Sequence, residues 1–373
     1  MKKKIYFDHN ATTPVKNSVM NEMMGALKLC GNASSIHSLG RDVRKLIEQS
    51  RDKVAKLIKT SPEQVIFTSG GTEANNLVID GINRDFCLIS AIEHDSVLQT
   101  NKMHEKISVD EGGVVELGAL EKLLQEKNSA NIVSVMLANN ETGVIQPIKE
   151  IVRLSDPFDT FIHTDAIQAC GKINLDWSDL GVDAMSLSAH KIGGPQGVGA
   201  LILNKSFDLD RGSFGGGQER GYRPGTENVS GIVGFGFAAE IAADLDRNEG
   251  VELLRNELER KIMNVTPNAI IHGKQSPRLP NTSCISMPGV LAETQIMKFD
   301  LAGIMVSAGS ACSSGKVHNS HVLQSMGVKE SISSTAIRVS LGYDNTLEEV
   351  EYFVKQWKRI FDFVGVEKIR AVA

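Results

Sequence analysis

Nowhere in the 373 residues does an apolar run approach the ~18 consecutive residues of a membrane-spanning helix, so no membrane association is expected. Cysteine is sparse and unpaired: Cys30, Cys87, Cys170, Cys284 and Cys312 are scattered, odd in number and never spaced Cys-x-x-Cys. That pattern argues against a disulfide framework and against a resident zinc site, and a reducing compartment fits best. Positive charge is not in excess either. With 40 Lys and Arg against 45 Asp and Glu, the net charge of -5 gives no general attraction to nucleic acid or anionic lipid. The opening Met1-Lys-Lys-Lys-Ile-Tyr-Phe-Asp8 is basic but has no apolar segment of the kind a secretion signal needs. Repeats and low-complexity segments are absent as well. What remains is a globular chain, expected in the cytoplasm, with no membrane and no direct nucleic-acid partner.

The length suggests about two domains. Short apolar strands at 65–68, 86–90, 132–137, 161–165 and 183–188 alternate with helical stretches, the pattern of a mostly parallel sheet covered by helices. In such α/β sheets the strand ends line the ligand crevice. Polar residues collect where these strands should stop: His94, the run Asn139-Asn140-Glu141-Thr142-Gly143, and Asp165 with Gln168. After the first of these strands, Gly70-Gly71-Thr72 leads into a helix. The glycines let the backbone approach an anion, the helix start offers N–H groups, and Thr72 adds a hydroxyl. After the last, Ser186-Leu-Ser-Ala-His-Lys191 gives way to the glycine-rich turn Gly193 to Gly199. A lysine held there against apolar walls becomes an amine nucleophile, the form that makes a Schiff base with a carbonyl. Ser188 and His190 beside it are candidate phosphate ligands.

Further on, Gly212 to Asn228 is too glycine-rich for an element interior, and Gln218, Arg220, Arg223 and Thr226 give it anion-binding chemistry. The chain then reads as helical from about Thr226 to Met263. A second, α+β unit follows, with strands near 270, 284, 304 and 337 and a last helix from about Leu347 to Phe363. Within it Cys312 sits among small residues, between Gly309 and Gly315, where a thiol is expected to be accessible and reactive. His318 and His321 stand nearby, but the spacing is not a standard zinc pattern. Arg338 is a charge inside an apolar strand, suited to a bidentate carboxylate partner. At the other end of the chain, Asn10 and Thr12 become site candidates if the arm Ile5 to Pro14 folds back over a pocket.

Taken in order, nine motifs resemble the NifS/IscS-type cysteine desulfurases, a class V branch of the fold-type I pyridoxal-phosphate enzymes. They are Phe7 to Pro14, Thr68 to Asn76, Glu93-His94, Asn139 to Gly143, His163 to Gln168, Ser186 to Lys191, Gly215 to Arg220, Arg223 to Thr226 and Ser307 to Cys312. The resemblance runs nearly end to end. It implies a large domain over 14–250 with a mostly parallel mixed sheet, and a smaller α+β domain made of 1–13 and 251–373. It implies pyridoxal 5'-phosphate on Lys191, His94 stacked on the ring, Asp165 paired with the pyridine nitrogen and Gln168 near the phenolic oxygen. Gly71, Thr72, Ser188 and His190 are implied for the phosphate, with Thr226 reaching in from the other subunit of a homodimer.

Asn140 and Arg338 are implied for the carboxylate of L-cysteine, and Cys312 as the thiol that takes up sulfur as a persulfide. The sulfur then goes to an IscU/NifU-type scaffold or another acceptor, for iron–sulfur assembly or tRNA thiolation. No resident metal is implied, only Cys312 as a transient ligand of a transferred iron–sulfur cluster. Two departures stand out: a short connection between Ile151 and His163 broken by Pro157, and an end soon after Phe363 where relatives carry a longer tail. A selenocysteine lyase or another class V pyridoxal enzyme, and a catalytically inactive binding subunit, are the competing readings; retention of Lys191, Asp165, His94 and Cys312 together argues against the last.

Overall fold

The computed structural model describes residues 4–127, 131–210, 212–308 and 319–372. The chain enters through a two-residue strand, β1 (Ile5–Tyr6). Seven later strands make the main sheet: β2 (Val65–Thr68), β3 (Phe86–Ser90), β4 (Met103–Ile107), β5 (Asn131–Ser134), β6 (Phe161–Asp165), β7 (Ala184–Ser188) and β8 (Gly199–Leu203). Their spatial order is β2-β8-β7-β6-β5-β3-β4. All neighbours run parallel except β8, which is antiparallel to both β7 and β2. Every residue of β2, β6, β7 and β8 is buried, as expected of strands covered by helices on both faces. The strand ends after β3, β5, β6 and β7 therefore face one crevice.

One face is covered by the helix Ser38–Leu57, which buries Val43, Ile47 and Val54 and leaves its charges outside. It packs on the helix Val229–Ala242, whose apolar character runs all the way round because it lies between layers. Close approach depends on Gly236: a Cβ there would stand 2.7 Å from the Cα of Ser50. The helical stretch expected over about 226–263 is in fact two helices, Val229–Ala242 and Arg247–Val265. The side chain of Asn228 caps the first, and the polar Asp244 to Asp246 turn separates the two. Between 151 and 163, the helix Ile148–Ser155 stops at a single turn containing Pro157 before β6.

Four more strands, β9 (Ile270–His272), β10 (Thr282–Ser286), β12 (Ser307–Ala308) and β13 (Ala336–Ser340), form an antiparallel sheet in the order β12-β13-β10-β9, while β11 (Ile304–Met305) pairs with β1. Their core gathers Ile5, Phe7, Leu258, Phe299, Phe353 and Trp357, with Phe299 stacked on Phe353 at 4.6 Å. The indole of Trp357 donates to Thr266 Oγ1 at 3.1 Å, which satisfies the one polar atom it buries. The last helix runs Leu347–Val372, past the expected end at Phe363.

The N-terminal arm joins the two layers. β1 adds to β11 in parallel, and Asp8 bridges to Ser340. Five residues later the chain reaches the turn after β7, where Thr13 N donates to the His190 carbonyl at 2.8 Å. Asn10 is thereby buried at the seam.

Candidate active site

At the end of β7 the chain makes one tight turn, Ala189–Lys191, which aims the Lys191 side chain back over the strand ends. Its amine donates to the carbonyls of Asn10 at 2.5 Å and Ala11 at 2.9 Å. Burial pushes the Lys191 amine down to about 8, Arg338 adds to the effect, and Asp165 and Asp8 oppose it. The arm does fold back over the pocket, so the condition placed on Asn10 is met. Thr12 joins the site as well, with its hydroxyl 3.2 Å from His190 Nδ1.

In front of Lys191 lies a cavity of about 210 Å³. Gly71, Thr72, His94, Asn140, Asp165, Gln168, Ser188, His190 and Lys191 all line it. Nine residues spread over 120 positions of sequence thus meet at the ends of β2, β3, β5, β6 and β7.

The helix Gly71–Gly81 begins at the cavity wall, so its first N–H groups are available to an anion there. Gly71 is required by space, because a Cβ would collide with the side chain of Ile167. Ser188 Oγ is buried and has no hydrogen-bond partner among the described residues. Burial and the neighbouring Lys191 push His190 down to about 4, so it is a neutral ring at physiological pH. Asp165 closes the inner end. Its Oδ2 accepts from Asn75 Nδ2 at 2.9 Å and its Oδ1 from the Ile167 N–H at 2.9 Å. Burial raises this carboxyl, and those two hydrogen bonds work to keep it ionised. His94 caps the short helix Asp95–Leu98, its Nδ1 accepting from Ser96 N at 3.1 Å. The adjacent Glu93 is fully buried and pushed up to about 8 by that burial; one oxygen accepts from Met136 N at 2.7 Å, tying β3 to β5.

Arg338 does not line the cavity but sits beside it on β13. Its Nη1 donates to the Asn140 carbonyl at 3.1 Å and its Nη2 to Asp8 at 2.7 Å, while its buried Nε has no partner among the described residues. Thr226 is not among the lining residues of its own chain's cavity. The anion-binding chemistry expected of its segment is largely taken up internally. Arg220 donates to the carbonyls of Val65 and Pro62, Arg223 pairs with Glu73 at 3.1 Å, and the Gln218 amide oxygen receives Gly225 N. The segment is pinned by a buried bidentate pair, Arg51 to Glu219, at 2.7 and 2.8 Å. Cys312 and His318 lie outside the described residues. His321 is engaged: its Nε2 donates to the Glu93 carbonyl at 2.9 Å. Among the described residues no cluster of three or more His, Cys, Asp or Glu could hold a metal, and no helix is long and apolar enough to cross a membrane.

Three participants escaped the sequence reading. Asn75 stands three residues after Thr72 on the same helix face, a spacing that could have flagged it. Asp8 and Lys172 carried no local signal, because Asp8 meets Arg338 only across the fold and Lys172 shows its inward turn to Gln168 and Asn10 only in three dimensions.

The family described as Aminotransferase class-V matches this chain over residues 5–353. A protein named Cysteine desulfurase IscS from Dictyoglomus turgidum is 38% identical over 389 residues, covering 100% of this chain and 97% of that protein. A protein of the same name from Clostridium botulinum is 38% identical, covering 96% of this chain and 95% of its own. Among solved structures, the NifS-like protein from Rickettsia africae ESF-5 superposes with a TM-score of 0.91 at 37% identity, over 96% of this chain and 100% of that one.

Proposed function

Since this chain belongs to the class-V aminotransferase family and is a cysteine desulfurase of the IscS/NifS kind, we propose that it converts L-cysteine to L-alanine in the cavity before Lys191 and hands the sulfur to Cys312. The family is pyridoxal-phosphate dependent, and the residues present fit that group. The observation that carries the reading is the pairing of a buried amine of lowered pKa, Lys191, with the unpartnered Ser188 hydroxyl beside it and the Asn75-held carboxylate of Asp165 across the cavity. A carbonyl, a phosphate and a protonated ring nitrogen are what these three would meet.

In this reading Gly71, Thr72, Ser188 and His190 would hold the phosphate, Asp165 would serve the ring nitrogen, His94 would support the ring and Gln168 would serve the phenolic oxygen. Pyridoxal phosphate, when bound, supplies the electron sink that lets the substrate's α-carbon lose its proton. Lys191 would hold it through its amine and, once that amine is free, would carry a proton, with the Asn10 and Ala11 carbonyls placed to receive its N–H groups. Asn140 and Arg338 orient the substrate carboxylate. The Cys312 thiolate attacks the substrate sulfur: a sulfur–sulfur bond forms, the carbon–sulfur bond breaks, and its electron pair stays with the carbon, which is protonated to give alanine.

Thr226 is assigned to the phosphate site of a second copy in a homodimer, with 14–250 as the large domain and 1–13 plus 251–373 as the small one. Cys312 then passes its persulfide sulfur to a scaffold protein of iron–sulfur assembly in the cytoplasm. Borohydride reduction of the cofactor-loaded protein followed by peptide mapping tests the core of this reading. The cofactor should be fixed to Lys191, and its attachment to any other lysine would refute the assignment.

A further inference from the structure

Behind Gln168 stands a lysine that the reaction does not use. Lys172 reaches inward from a half-buried backbone, and its amine donates to Gln168 Oε1 and to Asn10 Oδ1, both at 2.9 Å. Gln168 in turn donates through Nε2 to the Asn10 carbonyl at 3.0 Å, the same oxygen that receives the Lys191 amine. We infer that Lys172 is a positioning residue which fixes the Gln168 amide with its oxygen away from the cavity and one N–H left to face the cofactor's phenolic oxygen.

The two ends of an amide are not interchangeable. The Asn10 carbonyl can only accept, so the end of the Gln168 amide that meets it is nitrogen and the end that receives the Lys172 amine is oxygen. Asn10 does not depend on Lys172, because its side chain is also held by Asn281 at 3.0 Å and by Thr282 at 2.8 Å. Gln168 has no such reserve: Lys172 is the donor found on its oxygen among the described residues. Loss of Lys172 therefore falls on Gln168, whose amide then keeps its Nε2 bond to the Asn10 carbonyl but no longer has its oxygen held away from the cavity. Burial, with the charges of Lys191 and Arg338, holds the Lys172 amine well below its ordinary range. Such a group is kept at an energetic cost, which its two hydrogen bonds offset.

The inference rests on the cofactor reading of the cavity, and its test separates the two. A donor to the phenolic oxygen draws electron density from it and loosens the proton the cofactor shares with Lys191. Removing that donor should raise the pH at which the bound cofactor's absorbance titrates, by about 0.5 to 1 unit for one hydrogen bond. The experiment is a pH titration of the visible absorbance of protein loaded with pyridoxal phosphate, for wild type, Lys172→Met, Gln168→Ala and the double variant.

Lys172→Met and Gln168→Ala should shift the titration upward alike, and the double variant should shift no further than either. A purely structural role would lower the thermal midpoint without this non-additivity. If Lys172→Met does not fold, Lys172→Gln takes its place, since its shorter amide cannot span both oxygens and the same shift is expected. An unshifted Lys172 variant beside a normal wild-type titration, or shifts that add in full, would overturn the inference alone. Absence of cofactor absorbance in the wild type would overturn it together with the reading beneath it.

Discussion

Arg338 Nη2 donates to Asp8 Oδ1 at 2.7 Å, and Asp8 accepts from Ser307 Oγ at 2.8 Å. The guanidinium proposed for the substrate carboxylate is thus aimed in advance by the N-terminal arm and by β12, at almost no exposure to water. Arg338→Lys keeps the charge and loses the fork that holds Asp8 and a carboxylate together. Steady-state kinetics should show KM for cysteine raised about tenfold or more, the loss of one charge-assisted hydrogen bond, with cofactor binding little changed. An unchanged KM would remove Arg338 from the substrate site.

Lys191 should betray its burial in the cofactor-free protein. Its amine is pushed down from the ordinary lysine range to about 8, and only the unprotonated amine attacks a carbonyl. The sign is therefore that capture of pyridoxal phosphate speeds up as pH rises toward about 8 and levels off above it. Stopped-flow absorbance across that range reads the profile. A rate still climbing steeply toward the ordinary lysine pKa of about 10.4 would mean that the amine is not desolvated as described.

Burial raises the Asp165 carboxyl, and the hydrogen bonds from Asn75 and the Ile167 N–H oppose that rise, an arrangement suited to a carboxylate that meets a positive ring nitrogen. Asp165→Asn removes the anion and leaves the volume. Cysteine turnover should fall roughly 100-fold or more, the scale of losing one preorganised electrostatic partner, with an altered spectrum of bound cofactor. Turnover and spectrum both like wild type would dismiss the ring-nitrogen role.

Arg51 and Glu219 form a buried pair that fastens the Gly212 to Asn228 segment to β2, with Glu219 Oε2 also receiving Phe67 N at 2.8 Å. Glu219 and Arg220 are both held at positive φ, 46° and 58°, a backbone these residues adopt only under constraint. Glu219→Gln takes from Arg51 its buried bidentate carboxylate and leaves it the more exposed Glu48 and the Val65 carbonyl; breaking a buried pair typically costs about 3–5 kcal/mol, and the remaining partners place the expected loss at the lower end. Denaturant unfolding should show a clearly lowered midpoint; a midpoint within error of wild type would show that the clasp contributes nothing.

The α/β architecture was legible because its strands are short apolar runs closed by glycine or polar residues, as in Val65 to Gly71 and Ala184 to Gly194. The cavity residues were legible for a related reason: each sits at a strand end, where side-chain chemistry is not dictated by the core. What stayed hidden needed the third dimension. Nothing in the local sequence says that Asp8 meets Arg338, 330 positions away, or that Lys172 turns inward to Gln168. The helix break after Ala242 was missed because the acidic residues Asp244 and Asp246 also fit an exposed helical face. Arg220 and Arg223 looked like anion ligands by type, but backbone carbonyls and Glu73 satisfy them.

The most direct test of the desulfurase account is to treat the cofactor-loaded protein with cysteine, quantify alanine, and map any added sulfur. The competing thiols are structurally distinct: Cys87, Cys170 and Cys284 are buried, with Cys170 pushed up to about 12, whereas Cys30 is exposed. The expected result is alanine release with one extra sulfur on Cys312, removable by a reducing thiol, and neither alanine release nor added sulfur in Cys312→Ser that still binds pyridoxal phosphate. Alanine release by Cys312→Ser at the wild-type rate, or sulfur found on Cys30 or a buried cysteine instead, would contradict the account.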